Sequence, residues 1–136
     1  MKKFNKLIIA CDGESASGKS TAAKLISKKY KLVLVNSGLL YRYGSKLIID
    51  YKPENSIPFL KSKFKKASYK SIERQNLHTE AISNHVALLA KNKKVREIIN
   101  RYQKKIIKSN KRICIEGRDI ASKILAKNPK YDLAFY

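Results

Sequence analysis

Eight residues near the amino end restrict the fold of this chain more than any other stretch. Gly13-Glu14-Ser15-Ala16-Ser17-Gly18-Lys19-Ser20 satisfies the spacing G-x-x-x-x-G-K-[ST] without a mismatch. Glycines let the backbone curl until successive N–H groups point inward at phosphate oxygens. Such a loop needs a strand before it and a helix after it, because the helix start adds its positive dipole end. Both flanks are present as patterns. Lys6-Leu7-Ile8-Ile9-Ala10-Cys11 is apolar without alternation, which predicts a strand buried on both faces of a parallel sheet. From Gly18 to Tyr30 the residues Ala22, Leu25, Ile26 and Tyr30 recur at helical spacing. In this setting Lys19 is expected to reach the β and γ phosphates of a nucleotide, and the Ser20 hydroxyl to complete a magnesium shell. GTPases, ATPases and small kinases all remain open at this point.

The remaining pattern alternates strand with helix. Leu32–Val35 reads as a second short buried strand, and Leu39–Ile49 as a helix weakly interrupted at Gly44 and ended before Pro53. Residues 50–75 are the least patterned, with one short helix expected around Phe59–Phe64. A helix is expected over Thr79–Ala90 with Thr79 as its cap. Val95, Ile98, Ile99, Tyr102 and Ile106 mark a strongly amphipathic helix. Arg112–Glu116 is a third strand, Asp119–Ala126 a short helix and Tyr131–Tyr136 a fourth strand. The sum is an α/β chain: a parallel sheet flanked by helices, of the P-loop NTPase type, binding ligands beyond the carboxyl ends of its strands.

Composition removes several classes. The longest apolar run, Leu7–Cys11, is far short of the roughly 20 residues that a membrane span needs. Cys11 and Cys114 sit inside apolar runs and read as buried reduced thiols, so a cytoplasmic protein is expected, with both cysteines as core filler. His78 and His85 lack metal-ligand spacing and read as surface residues. The net charge of +21 raises a rival, a basic non-catalytic nucleic-acid-binding protein. Against it, 25 of the 31 basic residues are lysines scattered along the chain, whereas nucleic-acid and phosphate readers favour arginine's bidentate fork. No specific nucleic acid is expected as a partner.

Two further motifs follow predicted strands: Asn36-Ser37-Gly38-Leu39-Leu40-Tyr41-Arg42 and Ile115-Glu116-Gly117-Arg118-Asp119-Ile120. Arginines at strand ends can clamp a second phosphate bidentately. Glu116 reads either as a residue that orients magnesium-bound water or as a strand cap. With Asp12-Gly13 and the glycine loop, Ser37-Gly38 with Tyr41-Arg42, Val95-Arg96 with Gln103, and Gly117-Arg118-Asp119-Ile120, the chain resembles the bacterial cytidylate kinases of the nucleoside monophosphate kinase family. The resemblance covers nearly the whole chain, and Gly-Arg-Asp is its most discriminating piece. It implies a single kinase domain over 1–136 with a small helical monophosphate-binding insertion at about 39–110. It implies ATP and Mg2+ as cofactors, with Gly13 to Thr21 around ATP, and CMP or dCMP as the other substrate. Ser37, Tyr41, Arg42 and Arg118 would surround the acceptor phosphate and ribose, and Arg96 and Asp119 the cytosine edge. Lys19, Arg42 and Arg118 would carry the catalytic charge. Family members continue beyond the fourth strand with an arginine-rich lid and a last strand. A fragment of low activity is therefore expected here, and a monomer. The alternative from the same class is a P-loop kinase for another nucleotide or small acceptor.

Overall fold

A computed structural model of the chain describes residues 6–13, 19–117 and 131–135. Its elements in order are β1 (Leu7–Asp12), α1 (Lys19–Tyr30), β2 (Val33–Asn36), α2 (Ser37–Tyr51), α3 (Ser56–Lys66), α4 (Tyr69–Glu73), α5 (Glu80–Ala90), α6 (Lys93–Ser109), β3 (Arg112–Gly117) and β4 (Leu133–Phe135). The expected helix over Asp119–Ala126 lies outside the described residues. The chain divides into two compact units, one of residues 1–37 with 103–136 and one of residues 38–102.

The first unit holds a parallel sheet of order β2-β3-β1-β4. β1 and β3 lie inside it, and their buried, unbroken apolar runs follow from having neighbours on both edges and both faces. Alternation sends Ile9 and Cys11 to one face and Ile8 and Ala10 to the other. Ile9, Cys11, Cys114 and Ala23 of α1 form one buried cluster, bordered by Leu7, Ile26, Leu32 and Leu34. The two sulfurs stand 3.7 Å apart. Their hydrogen bond, together with burial, pushes the Cys11 thiol up, while the same bond holds that of Cys114 down against its own burial. At the start of β4, Asp132 accepts from the Ile8 amide at 2.7 Å, while its own amide donates to the Ile8 carbonyl.

α1 ends in a left-handed turn. Lys31 has φ 55°, and the Leu32 amide returns to the Ser27 carbonyl at 2.8 Å, the six-to-one bond of a Schellman turn.

The second unit is all helical. Within the weakly patterned stretch 50–75, the short helix expected around Phe59–Phe64 forms as part of the longer α3, and α4 adds a second that was not expected; together they bury Leu60, Phe64 and Ile72. Five lysines on these two helices hide the few apolar positions that do the packing. Tyr43, Phe64 and Tyr102 meet edge to face at centroid distances of 5.3 and 5.4 Å, an arrangement aromatic rings favour. The Tyr102 hydroxyl donates to the Ala67 carbonyl at 2.8 Å, and burial pushes its phenol up to about 12. Gly44 does not interrupt α2. A β-carbon there would stand 3.1 Å from Leu89 Cδ2, so the glycine lets α5 approach. Thr79 caps α5 as expected, its hydroxyl accepting from the Ile82 amide at 3.3 Å.

Candidate functional site

Strand register brings three chain segments to one end of the sheet. Asp12 pairs with Gly117, and Asn36 pairs with Glu116, so the carboxyl ends of β1, β3 and β2 lie side by side. There the chain leaves β1 into the glycine loop, β3 toward Arg118, and β2 directly into α2 at Ser37. The Gly13 amide donates to the Gly117 carbonyl at 3.2 Å, which extends the pairing of the two strands to the first loop residue. Gly13 has φ 153°, a conformation that strains any residue with a β-carbon. Asp12 and Glu116 are both buried and place two carboxylates at this end. α1 begins at Lys19, with Ser20 and the exposed Thr21 in its first turn.

The candidates Glu14, Ser15, Ala16, Ser17, Gly18, Arg118 and Asp119 lie outside the described residues. Ser37 is buried at the first position of α2, and Tyr41 and Arg42 follow one turn later on the same helix. In the helical unit, Arg42 Nη1 donates to the Leu77 carbonyl at 3.0 Å and to Ser83 Oγ at 3.1 Å. Both bonds leave from one nitrogen, so they fix the guanidinium while using one corner of its fork. Tyr41 is half-buried; desolvation pushes its phenol up, and the Arg96 guanidinium draws it partly back. Tyr41 and Arg96 are thus brought near each other from 55 residues apart in sequence, while Arg42, in the same unit, is held by Leu77 and Ser83.

Arg96 has a second attachment that its place in the sequence did not suggest. Its Nη1 donates to the carbonyls of Ala90 at 3.0 Å and Lys91 at 2.7 Å, at the carboxyl end of α5, where the dipole favours a cation. Sequence reading also missed Ser83 and the Leu77 carbonyl as the holders of Arg42; no linear motif marks them. His85 is a correction. It is half-buried, not a surface residue, and its Nδ1 lies 2.9 Å from the hydroxyl of the fully buried Ser45. A buried hydroxyl requires a partner, and this one comes from 40 residues away on α5. A shallow cavity lined by Lys31, Val33, Asn110, Lys111 and Arg112 lies at the amino ends of β2 and β3, away from the glycine loop. It has no part in the arrangement above.

Comparison with known proteins identifies the family. The family model for cytidylate kinase matches residues 9–131. The chain is 32% identical over 133 residues to the cytidylate kinase of Aquifex aeolicus, covering 89% of this chain and 60% of that protein. It is 36% identical to the cytidylate kinase of Mycoplasmopsis synoviae, covering 88% of this chain and 61% of that protein. The cytidylate kinase of Clostridioides difficile is 29% identical over 98% of this chain and 65% of its own length. The chain therefore spans about three fifths of the length of these curated relatives. With the match running from within β1 almost to β4, the chain belongs to the cytidylate kinase family.

Proposed function

We propose that this protein transfers the γ-phosphate of ATP to CMP or dCMP, giving ADP and CDP or dCDP. The observation that supports this most is the strand register. It sets the start of the glycine loop beside Gly117, the residue before Arg118 and Asp119, and a loop for one phosphate chain beside residues for a second is what a phosphoryl transfer between nucleotides requires. The relatives' names carry the identity of the acceptor.

The chemistry is positioning and charge. An oxygen of the acceptor phosphate attacks the γ-phosphorus in line, the bond to the β–γ bridging oxygen breaks, and its electrons leave with ADP. No covalent enzyme intermediate or side-chain base is needed. Lys19 and the loop amides hold the β and γ oxygens, and Arg42 and Arg118 hold the acceptor phosphate against its own repulsion. Ser37 and Tyr41 add hydrogen bonds to the acceptor phosphate and ribose. Asp119 accepts from the exocyclic amine of cytosine while Arg96 donates to the ring carbonyl. Uracil offers an acceptor where cytosine offers a donor, so it is disfavoured.

The described residues at this end fit a hard divalent cation: the side-chain donors there, Asp12 and Glu116, are oxygens, and Ser20 stands in the first turn of α1. Ser20 would hold Mg2+, which when bound would supply positive charge to neutralise the phosphates. The reading places the protein in the cytoplasm as a monomer, with no membrane partner. Among the described residues no helix is long and apolar enough to cross a membrane.

A coupled assay of the natural protein with ATP and each of CMP, dCMP, UMP and AMP tests the proposal. Turnover should favour the cytosine nucleotides. Lys19→Ala should abolish it while leaving the circular dichroism spectrum unchanged. Asp119→Ala should reduce the preference for CMP over UMP by about 5–150-fold, the loss of one base-edge hydrogen bond of about 1–3 kcal/mol, with ATP affinity nearly kept. Full turnover in Lys19→Ala, or an unchanged CMP to UMP ratio in Asp119→Ala, would overturn the corresponding assignment. Nucleic-acid binding that weakens steeply with salt, in the absence of turnover with any monophosphate, would favour the basic binding protein instead.

A further inference from the structure

The only two cysteines of the chain are 103 positions apart in sequence, yet their sulfurs stand 3.7 Å apart on neighbouring strands. They are not directly opposite. Cys114 pairs with Ile9, so Cys11 lies two residues further along β1 on the same face. That diagonal separates the two Cα atoms by about 8 Å. A disulfide spans at most about 7 Å without moving the strands. One atom bonded to both sulfurs is a different matter. Bonds of about 2.3 Å and an angle of about 90–110° hold two sulfurs about 3.3–3.8 Å apart, the separation already present. The register therefore favours a one-atom bridge over a direct S–S bond.

The surroundings select the atom. Cys11 is 1% exposed and Cys114 fully buried; Ile9, Ala23, Leu7, Ile26, Leu32 and Leu34 pack around them, and the buried, uncharged Ser27 hydroxyl lies beside Cys114. Zinc needs four donors, and among the described residues no third histidine, cysteine or carboxylate joins the pair in a metal-binding group. A soft univalent cation on two thiolates would leave a net negative charge in an apolar core, which is costly. A trivalent arsenic centre brings its own third substituent and forms a neutral adduct.

We propose that Cys11 and Cys114 form a buried dithiol site for neutral trivalent thiophiles of the arsenous acid class. Each As–S bond that forms replaces an As–O bond, and the departing hydroxide leaves as water with the thiol proton, with no change of oxidation state. Asp12 and Gly13 follow Cys11 directly, so the adduct ties β1 to β3 one residue before the pair of carboxyl ends from which the glycine loop departs. The proposal does not rest on the kinase reading.

The probe is phenylarsine oxide, added to the folded full chain under reducing, monothiol-containing conditions. Intact mass should rise by one phenylarsenic group per chain, with loss of both thiols to a thiol reagent after unfolding and release by a small dithiol. Cys11→Ser and Cys114→Ser should each lose the monothiol-resistant adduct while keeping the native circular dichroism spectrum. If a variant fails to fold, the wild-type protein still decides: diamide treatment of the folded chain should give no Cys11–Cys114 disulfide on non-reducing peptide mapping. Two arsenic groups per chain, an adduct that survives in a single-cysteine variant, or a disulfide formed readily in the folded state would each overturn the proposal.

Discussion

Gln103 is fully buried in α6, and among the described residues both ends of its amide lack a hydrogen-bond partner. A side chain in that position costs stability, because desolvation is not repaid by a bond. Gln103→Leu should therefore raise the unfolding free energy by about 1–3 kcal/mol, read as a higher urea midpoint with an unchanged m-value. A lower midpoint would show that the amide is satisfied, and a stabilised variant with reduced turnover would show that it serves a ligand. Other residues divide by how far their partners lie along the chain. The glycine loop, with Lys19 and Ser20, could be nominated from sequence because its whole spacing is held within eight consecutive residues. Arg42 was legible as a candidate, but its holders Leu77 and Ser83 lie 35 and 41 residues away and were not. His85 misled for the same reason, since its partner Ser45 is on another helix.

At the scale of elements, the carboxyl end of α1 carries a strain that a single substitution relieves. Lys31 adopts φ 55° to complete the turn, a region where L-residues with a β-carbon are disfavoured by about 1–2 kcal/mol. Lys31→Gly removes that term and adds the larger entropy of an unfolded glycine, about 0.5–1 kcal/mol. The balance is a gain of about 0.5–1 kcal/mol in thermal unfolding. A loss would show that the lysine side chain contributes packing beyond the turn. The strands were legible from sequence to within one or two residues, because β1 and β3 are buried on both faces and therefore read as unbroken apolar runs. α5 was legible through its Thr79 cap. Only the middle of α3 was legible, and α4 was not, since their buried faces consist of Leu60, Phe64 and Ile72 amid lysines. Packing supplied by Tyr43 and Tyr102, from other helices, decides that Phe64 is core, and no local window contains that information.

For the molecule as a whole, 31 basic residues face 10 acidic ones. One salt bridge joins Lys46 to Asp50, half-exposed and four residues apart on α2. Such a pair is worth little, and with 31 basic residues to 10 acidic ones most cations cannot each have an acidic partner of their own. Compaction brings these charges closer than they are in the unfolded chain, so self-repulsion opposes folding. Salt should then stabilise this protein, the reverse of its effect on folds tied by surface ion pairs. Raising NaCl from about 20 to 300 mM shortens the screening length from over 20 Å to under 6 Å, which removes most of the repulsion. The melting temperature should rise with ionic strength and level off, each kcal/mol recovered moving it by about 3–6 °C. Lys19→Ala separates this general screening from an anion seated in the glycine loop: the rise should persist in the variant if it reflects the whole surface. A melting temperature that falls with NaCl would mean that acidic groups outside the described residues compensate the field far better than the count of charges implies.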